Sequence, residues 1–252
     1  MSFYQLQACC GMGKNSYICT DKVNWIDMCF FNAQNKRALD IAKRYGRRSD
    51  IIEMAREIIE EQKVQKAFLN PDCLIVTKDE LLQTAKWGLI PFWVRDTKQA
   101  ESIRNMTANA KSETAHELPS FREAMKKRRC LIPSTEFYEY HHVGNEAIPY
   151  RIFLRDTEIF SLAGIYDEWR NPETKGIERT FSVLTVPANE LCSFIHNGGR
   201  NPGRMPAIIP VSNEEKWLTP DLKEDERNSL LTAYDTSLMD ACALDKDFLK
   251  RA

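Results

Sequence analysis

Apolar residues first recur at helical spacing from residue 38. Ala38, Leu39, Ile41, Ala42 and Tyr45 share one face, and Gly46 is placed to end the helix they predict. Ile51, Ile52, Met54, Ala55, Ile58 and Ile59 predict a second helix, with Asp50 as its N-cap. The spacing then changes. Cys73–Thr77 and Leu81–Leu89 read as strands joined by a charged turn. Ser120–Arg129 reads as a helix with Phe121, Ala124 and Met125 inward. Ile148–Leu154, Ile159–Trp169 and Thr180–Val186 read as successive strands, separated by the turn signals Arg155-Asp156 and Asn171-Pro172. Short helices are expected at Ala188–Ile195 and Asn213–Leu218, the second with a capping box of Ser212 and Glu215. Strands and helices mix without βαβ regularity, and no Pro/Gly-rich linker divides them. The expected class is α+β, in a single mixed domain over residues 28–252.

Residues 1–27 lack any such pattern. They hold three cysteines and the charges Lys14, Asp21, Lys22 and Asp27. Periodic order begins just after Met28-Cys29, so residues 1–27 are expected to be a leader: either translation starts at Met28, or the segment is removed. An ordinary N-terminal tail is the alternative.

Composition narrows the class. The chain has 252 residues, 43% hydrophobic and 28% charged, which suits a folded globular protein. Thirty-five basic and 36 acidic residues give a net charge of −1, which excludes a histone-like global attraction to nucleic acid but not a local basic groove. The longest uncharged run, Met1–Gly13, is too short to cross a membrane and lacks the basic start of a secretory signal. A cytoplasmic protein is expected, with its eight cysteines as thiols. No C-x-x-C pair occurs, so no structural zinc site is expected.

Catalysis-capable residues concentrate in a few blocks: Met28-Cys29, WGLIPFW (Trp87–Trp93), NAKSET (Asn109–Thr114), RCLIPSTEFYEY (Arg129–Tyr140) and IHNGGRNPGRMP (Ile195–Pro206). Cys29, Asn109, Glu139 and His196 have the types needed for a nucleophile with acid–base partners. Each also has a plainer reading. Glu139 alternates with aromatics and would face solvent from a strand. His196 would be a core histidine, and Asn109 would cap a turn. Spacing alone does not choose a reaction.

These blocks, in this order, resemble the SRAP family (SOS-response-associated peptidases, also called abasic-site processing proteins). The family pattern runs Met-Cys, WG-x-x-P-x-W, N-A-R-x-E-T, R-C-[LI]-x-P-x-x-[GE]-[FW]-[YF]-E-W and I-H-x-R-M-P. The resemblance covers Met28 to about Leu218. It implies a strongly curved, mainly antiparallel sheet with flanking helices. It also implies a sensor that binds single-stranded DNA and traps abasic sites as a covalent thiazolidine on an N-terminal cysteine, here Cys29 after loss of residues 1–28. That chemistry needs only an amine, a thiol and protons, so no metal or cofactor is expected. By the same resemblance Glu139 moves protons, His196 assists sugar-ring opening, and Asn109 positions the amine or the sugar oxygen. DNA contacts are expected from Trp87, Gly88, Pro91, Trp93, Arg104, Lys111, Arg128, Arg129, Arg200, Arg204, Met205 and Pro206, with Lys126 and Lys127 as further candidates. The expected partner is damaged single-stranded DNA, with nucleoid association when DNA is damaged. A cysteine-type, self-processing peptidase using the same residues is the alternative, and a non-catalytic single-strand binder is another. The chain departs from the pattern at Phe30-Phe31, where the family has Gly-Arg, at Lys111, and in the lengthened spacing between His196 and Arg204.

Overall fold

The computed structural model describes residues 31–49, 64–199 and 201–251. The leader, Cys29, the Asp50-capped helix over 51–59 and Arg200 lie outside the described residues.

Two long apolar strands form the spine. Strand β9 (Phe160–Arg170) runs antiparallel to β10 (Ile177–Pro187), in register from Arg170–Ile177 to Gly164–Val183. Their connection is set by Asn171, whose side-chain oxygen accepts from the backbone N–H groups of Glu173 and Thr174. Both strands are buried along most of their length, so they read as continuous apolar runs.

Around this spine an eight-stranded sheet gathers β3 (Asp72–Ile75), β4 (Gln83–Trp87), β5 (Asn109–Lys111), β6 (Arg129–Ser134), β11 (Arg204–Pro206) and β12 (Ile208–Ile209). A five-stranded sheet is ordered β13-β8-β7-β1-β2, where β1 is Phe31–Ala33, β2 Gln65–Lys66, β7 Glu136–Val143, β8 Glu146–Leu154 and β13 Met239–Ala243. Among the described residues, β4 and β5 pair with β10 in parallel and the other strand pairs are antiparallel. With helices packed around these sheets, the fold is α+β.

One segment joins the sheets. Ser134 ends β6 in the larger sheet, and Glu136 opens β7 in the smaller one. The corner is tied by Ser134 Oγ, which donates to Asn32 Oδ1 at 2.6 Å, and by Gln34 Nε2, which donates to the carbonyls of Leu74 and Pro133. These buried bonds fix where β7, and with it Glu139, leaves the core.

The helices are short. In α1 (Ala38–Arg44), Ala38, Ile41 and Ala42 are buried, but Leu39 is 51% exposed and lies off the face expected to hold it. Gly46 ends α1 as expected: φ is +59°, and the N–H groups of Gly46 and Arg47 bond back to Lys43 and Ala42. Helix α2 spans Thr97–Arg104 under an Asp96 cap. Helix α3 (Arg122–Lys127) buries Ala124 and Met125, with Phe121 buried just before it, and it stops earlier than expected because Arg129 already begins β6. Helix α4 is Glu190–Ile195 and α5 is Glu214–Leu218. The Ser212–Glu215 capping box does not form. Ser212 lies in a 3₁₀ turn over Val211–Asn213, and Glu215 pairs with Arg47 at 3.2 Å instead. Two further short helices, α6 (Glu224–Ser229) and α7 (Phe248–Arg251), complete the C-terminal region.

Candidate functional site

Strand alternation decides the position of Glu139. Tyr138 and Tyr140 pack on the outer side of the five-stranded sheet with Ala33 and Leu249, whereas Phe137 joins the main core. Glu139 shares the face of Phe137 and is only 7% exposed. The expectation of a solvent-facing carboxylate in this strand is therefore corrected. Aromatic alternation marked the strand but did not say which face looks outward.

Helix α4 packs across this part of β7. Asn189 caps it by accepting from the Cys192 N–H at 2.9 Å. Cys192 is buried near Glu139, and burial first, then the Glu139 charge, pushes its thiol up to about 12. Cys192 therefore stays a neutral thiol at physiological pH and does not serve as a nucleophile. His196 follows one turn later and is buried. Its N–H donates to the Cys192 carbonyl at 2.7 Å, and its own carbonyl accepts from the Gly203 N–H at 2.8 Å. Nδ1 lies 3.0 Å from the Arg204 carbonyl, which can only accept. Nδ1 therefore carries the proton, and in the neutral ring Nε2 keeps the lone pair.

Strand β1 meets the same region. Phe31 lies opposite Tyr138 and Ala33 opposite Glu136, so the first described residue stands next to the Glu139 position along β7.

The second half of the site is built on β10. Strand β5 runs parallel to it, with Asn109 opposite Val183 and Lys111 opposite Thr185. Asn109 is buried, whereas Lys111 is exposed. On the other edge β11 brings Arg204 opposite Pro187. Arg204 donates to both oxygens of Glu113 at 2.6 and 2.8 Å, and to the Thr185 carbonyl at 2.6 Å. The Arg204 guanidinium holds the Glu113 carboxyl down to about 2. Because the Arg204 carbonyl also receives His196 Nδ1, a run of hydrogen bonds links Glu113, Arg204 and His196 to the end of α4. The structure thus places Glu139 on the strand that α4 packs against, with His196 directly after that helix, and it seats Asn109 and Arg204 on strands that pair with β10. Among the described residues, no group of three or more His, Cys, Asp or Glu side chains is placed to hold a metal ion.

Other candidates have framework positions. Trp87 is 2% exposed, donates from Nε1 to the Ala108 carbonyl at 2.8 Å and stacks on Phe181, so it offers no face to a base. Gly88 has φ +105°, and a Cβ there would lie 2.5 Å from Arg104 Cγ and 2.9 Å from the Arg104 carbonyl oxygen. Pro91, Met205 and Pro206 are buried. Arg129 is 5% exposed and donates to the carbonyls of Met125, Lys126, Trp217, Thr219 and Pro220. Burial brings its guanidinium down to about 10. All six are buried in the framework rather than displayed on a surface, contrary to the expectation of DNA contacts. Arg104 pairs with Glu178 at 3.2 Å, and Arg128 with the buried Asp167 at 3.1 Å. Trp93 Nε1 donates to the Pro119 carbonyl at 3.3 Å from a partly exposed position. Lys126 and Lys127 are exposed.

Three residues in this region were not singled out from the sequence. Phe92 is the exposed ring of its block, at 46%, with the Arg128 guanidinium 5.7 Å from its centroid. Its neighbours Pro91 and Trp93 gave no sign of which ring turns outward. Glu113 is the acid of NAKSET, and its pairing with Arg204 across 91 residues has no local signal. Cys192 looked like any other small buried residue.

The structure is similar to a crystal structure of a protein from Bacteroides thetaiotaomicron, with a TM-score of 0.85 and 45% identity, covering 89% of this chain and 95% of that one. A second crystal structure, from Bordetella bronchiseptica, gives a TM-score of 0.74 at 25% identity, over 86% of this chain and all of the other. In sequence, the chain is 39% identical over 158 residues to abasic site processing protein YoqW of Bacillus subtilis, 62% of this chain and 66% of that protein. It is 28% identical over 162 residues to abasic site processing protein HMCES of Gallus gallus, 56% of this chain and 46% of that protein. The matches therefore span just under two thirds of the Bacillus relative and about half of the avian one. The family model described as SOS response associated peptidase (SRAP) matches residues 28–250, most of the chain, and the chain belongs to that family.

Proposed function

We propose that this protein processes abasic sites in single-stranded DNA by trapping them covalently on Cys29 as an N-terminal residue. The observation that carries the reading is Glu139: a buried carboxylate on β7, the strand that α4 packs against and that pairs with β1, whose first residue Phe31 follows Cys29 by two. In sequence, Cys29 precedes Phe31 by two residues, a stretch that spans at most about 7 Å. Relatives named abasic site processing proteins support the substrate class.

The chemistry needs both groups of one terminal cysteine. The α-amine, with a pKa near ~8, adds to the aldehyde of the ring-opened abasic sugar. The carbinolamine loses water to give a Schiff base. The thiol sulfur then adds to the imine carbon, and the nitrogen takes up a proton as the five-membered thiazolidine closes. One water leaves overall and no redox partner is needed. Glu139 gives a proton to the departing hydroxyl and takes one from the incoming thiol. His196, with its lone pair on Nε2, shuttles a proton at the sugar oxygen, and Asn109 positions the amine or that oxygen. Exposed Lys111, with Arg200, supplies charge for the phosphates, and Trp93 offers a partly exposed ring. An internal cysteine has an amide nitrogen and cannot form the ring, so the leader must be absent or removed. Incubating protein that begins at Met28 with an abasic oligonucleotide tests the reading. A heat-stable adduct lost in Cys29→Ala is expected, and an adduct that persists in Cys29→Ala contradicts it.

A further inference from the structure

The segment around His196 is tied to β7 on both sides of that histidine. Before it, Phe194 meets His141. His141 Nδ1 lies 2.8 Å from the Phe194 carbonyl, which can only accept, so Nδ1 donates. The two rings stack at 4.5 Å between centroids, with 25° between their planes. After it, Asn197 pairs with the backbone of His142. Its Oδ1 accepts from the His142 N–H at 2.8 Å, and its Nδ2 donates to the His142 carbonyl at 3.0 Å. The side-chain amide thus satisfies both backbone groups of His142, as a neighbouring strand would. Gly198 closes on the same residue: a Cβ there would lie 2.5 Å from His142 Cδ2. The loop that follows is shut at its base, because the Gly203 N–H donates to the His196 carbonyl at 2.8 Å.

These ties set the histidine against the strand of the carboxylate. Phe137, Glu139 and His141 alternate onto one face of β7, so His141 is the next residue after Glu139 on that face. Seven residues separate His196 from Arg204 here, against one in the family pattern. A longer loop has more conformations to lose before its base is closed. We infer that Asn197 is a positioning residue: it acts through His196, holding that ring in register with the Glu139 strand despite the longer loop. His141 makes the matching tie on the other side. The register stands on hydrogen bonds, and its bearing on the reaction rests on the trapping reading.

The test follows adduct formation on an abasic single-stranded oligonucleotide, over a range of concentrations of protein starting at Met28. Asn197→Ala is expected to lower the limiting rate roughly tenfold while the half-saturating concentration stays within about twofold. Asn197→Asp is the milder change: it keeps the acceptor for the His142 N–H, loses the donor, and should fall between. In a His196→Ala background, Asn197→Ala should cost nothing further, since its effect runs through the ring that is gone. A limiting rate unchanged in Asn197→Ala overturns the assignment. So does an equal loss in both backgrounds, which is what a purely structural role gives. A readout free of the chemistry uses the nitrogen-15 signals of the imidazoles, of which the chain has four. Those of His196 should shift in both Asn197 variants, and signals that stay in place overturn the positioning. Failure of the trapping reading looks different: the signals would shift, yet the parent protein would give no adduct.

Discussion

Two regions of this chain are built from the same residue types and use them in opposite ways. Around Trp87, Gly88 and Arg129, the motif residues hold the framework. An indole binds a buried carbonyl, a glycine lets two segments touch, and a guanidinium gathers five carbonyls. Around Glu139 and His196, ionisable groups are kept from water at a strand–helix junction, beside the start of β1. A basic or aromatic residue in a motif block is thus no sign of contact with a ligand. The run Lys126-Lys127-Arg128-Arg129 makes the point within four residues: two exposed lysines, one arginine paired with Asp167, and one arginine buried as a structural hub.

Variants that separate chemistry from stability break the comparison hardest. Glu139→Gln is expected to slow adduct formation by roughly a hundredfold or more, the usual contribution of a positioned acid–base group, while the thermal midpoint shifts little. A large loss of stability with an unchanged rate would place Glu139 in the framework instead. Trp87→Ala should do the reverse, costing about 3–5 kcal/mol in urea unfolding for a large buried ring. Arg129→Ala should cost on the order of 3 kcal/mol by leaving buried carbonyls unbonded, whereas Lys126→Ala should stay within about 0.5 kcal/mol. Gly88→Ala falls between, at about 1–3 kcal/mol, because it imposes both a positive φ and a collision with Arg104.

The smallest expected effect is on pH. Glu113 is held near 2 when folded, against 4.5 as its ordinary value. Its pairing therefore stabilises the fold above about 4.5, and that contribution is lost as pH falls toward 2. Since Glu113 is half exposed, Glu113→Gln should cost less than about 1 kcal/mol at pH 7 and nothing near pH 2, as read from urea midpoints at the two values. A cost that grows on acidification would contradict the ion pair.

Much of the fold was legible because β9, β10 and α3 bury long or periodic apolar sets, and Gly46 ended α1 as its position predicts. The misreadings came where tertiary partners decide. Glu215 was drawn away from the expected capping box by Arg47. Leu39 fell off the buried face of a helix too short to cover it. In the site, the blocks were visible and their division of labour was not. Alternation in β7 gives two faces without naming the inner one, and contacts such as Arg204–Glu113 or Arg129–Trp217 join residues about 90 positions apart.

The central claim is that Cys29 acts as a free N-terminus. Two proteins, one beginning at Met28 and one carrying residues 1–27, should be incubated with an abasic single-stranded oligonucleotide and run side by side on a denaturing gel, with the intact mass of each protein measured in parallel. The account predicts a covalent band from the form whose mass begins at Cys29, and none from protein that retains the leader. A band from protein whose mass still includes Met1 or Ser2 would contradict it.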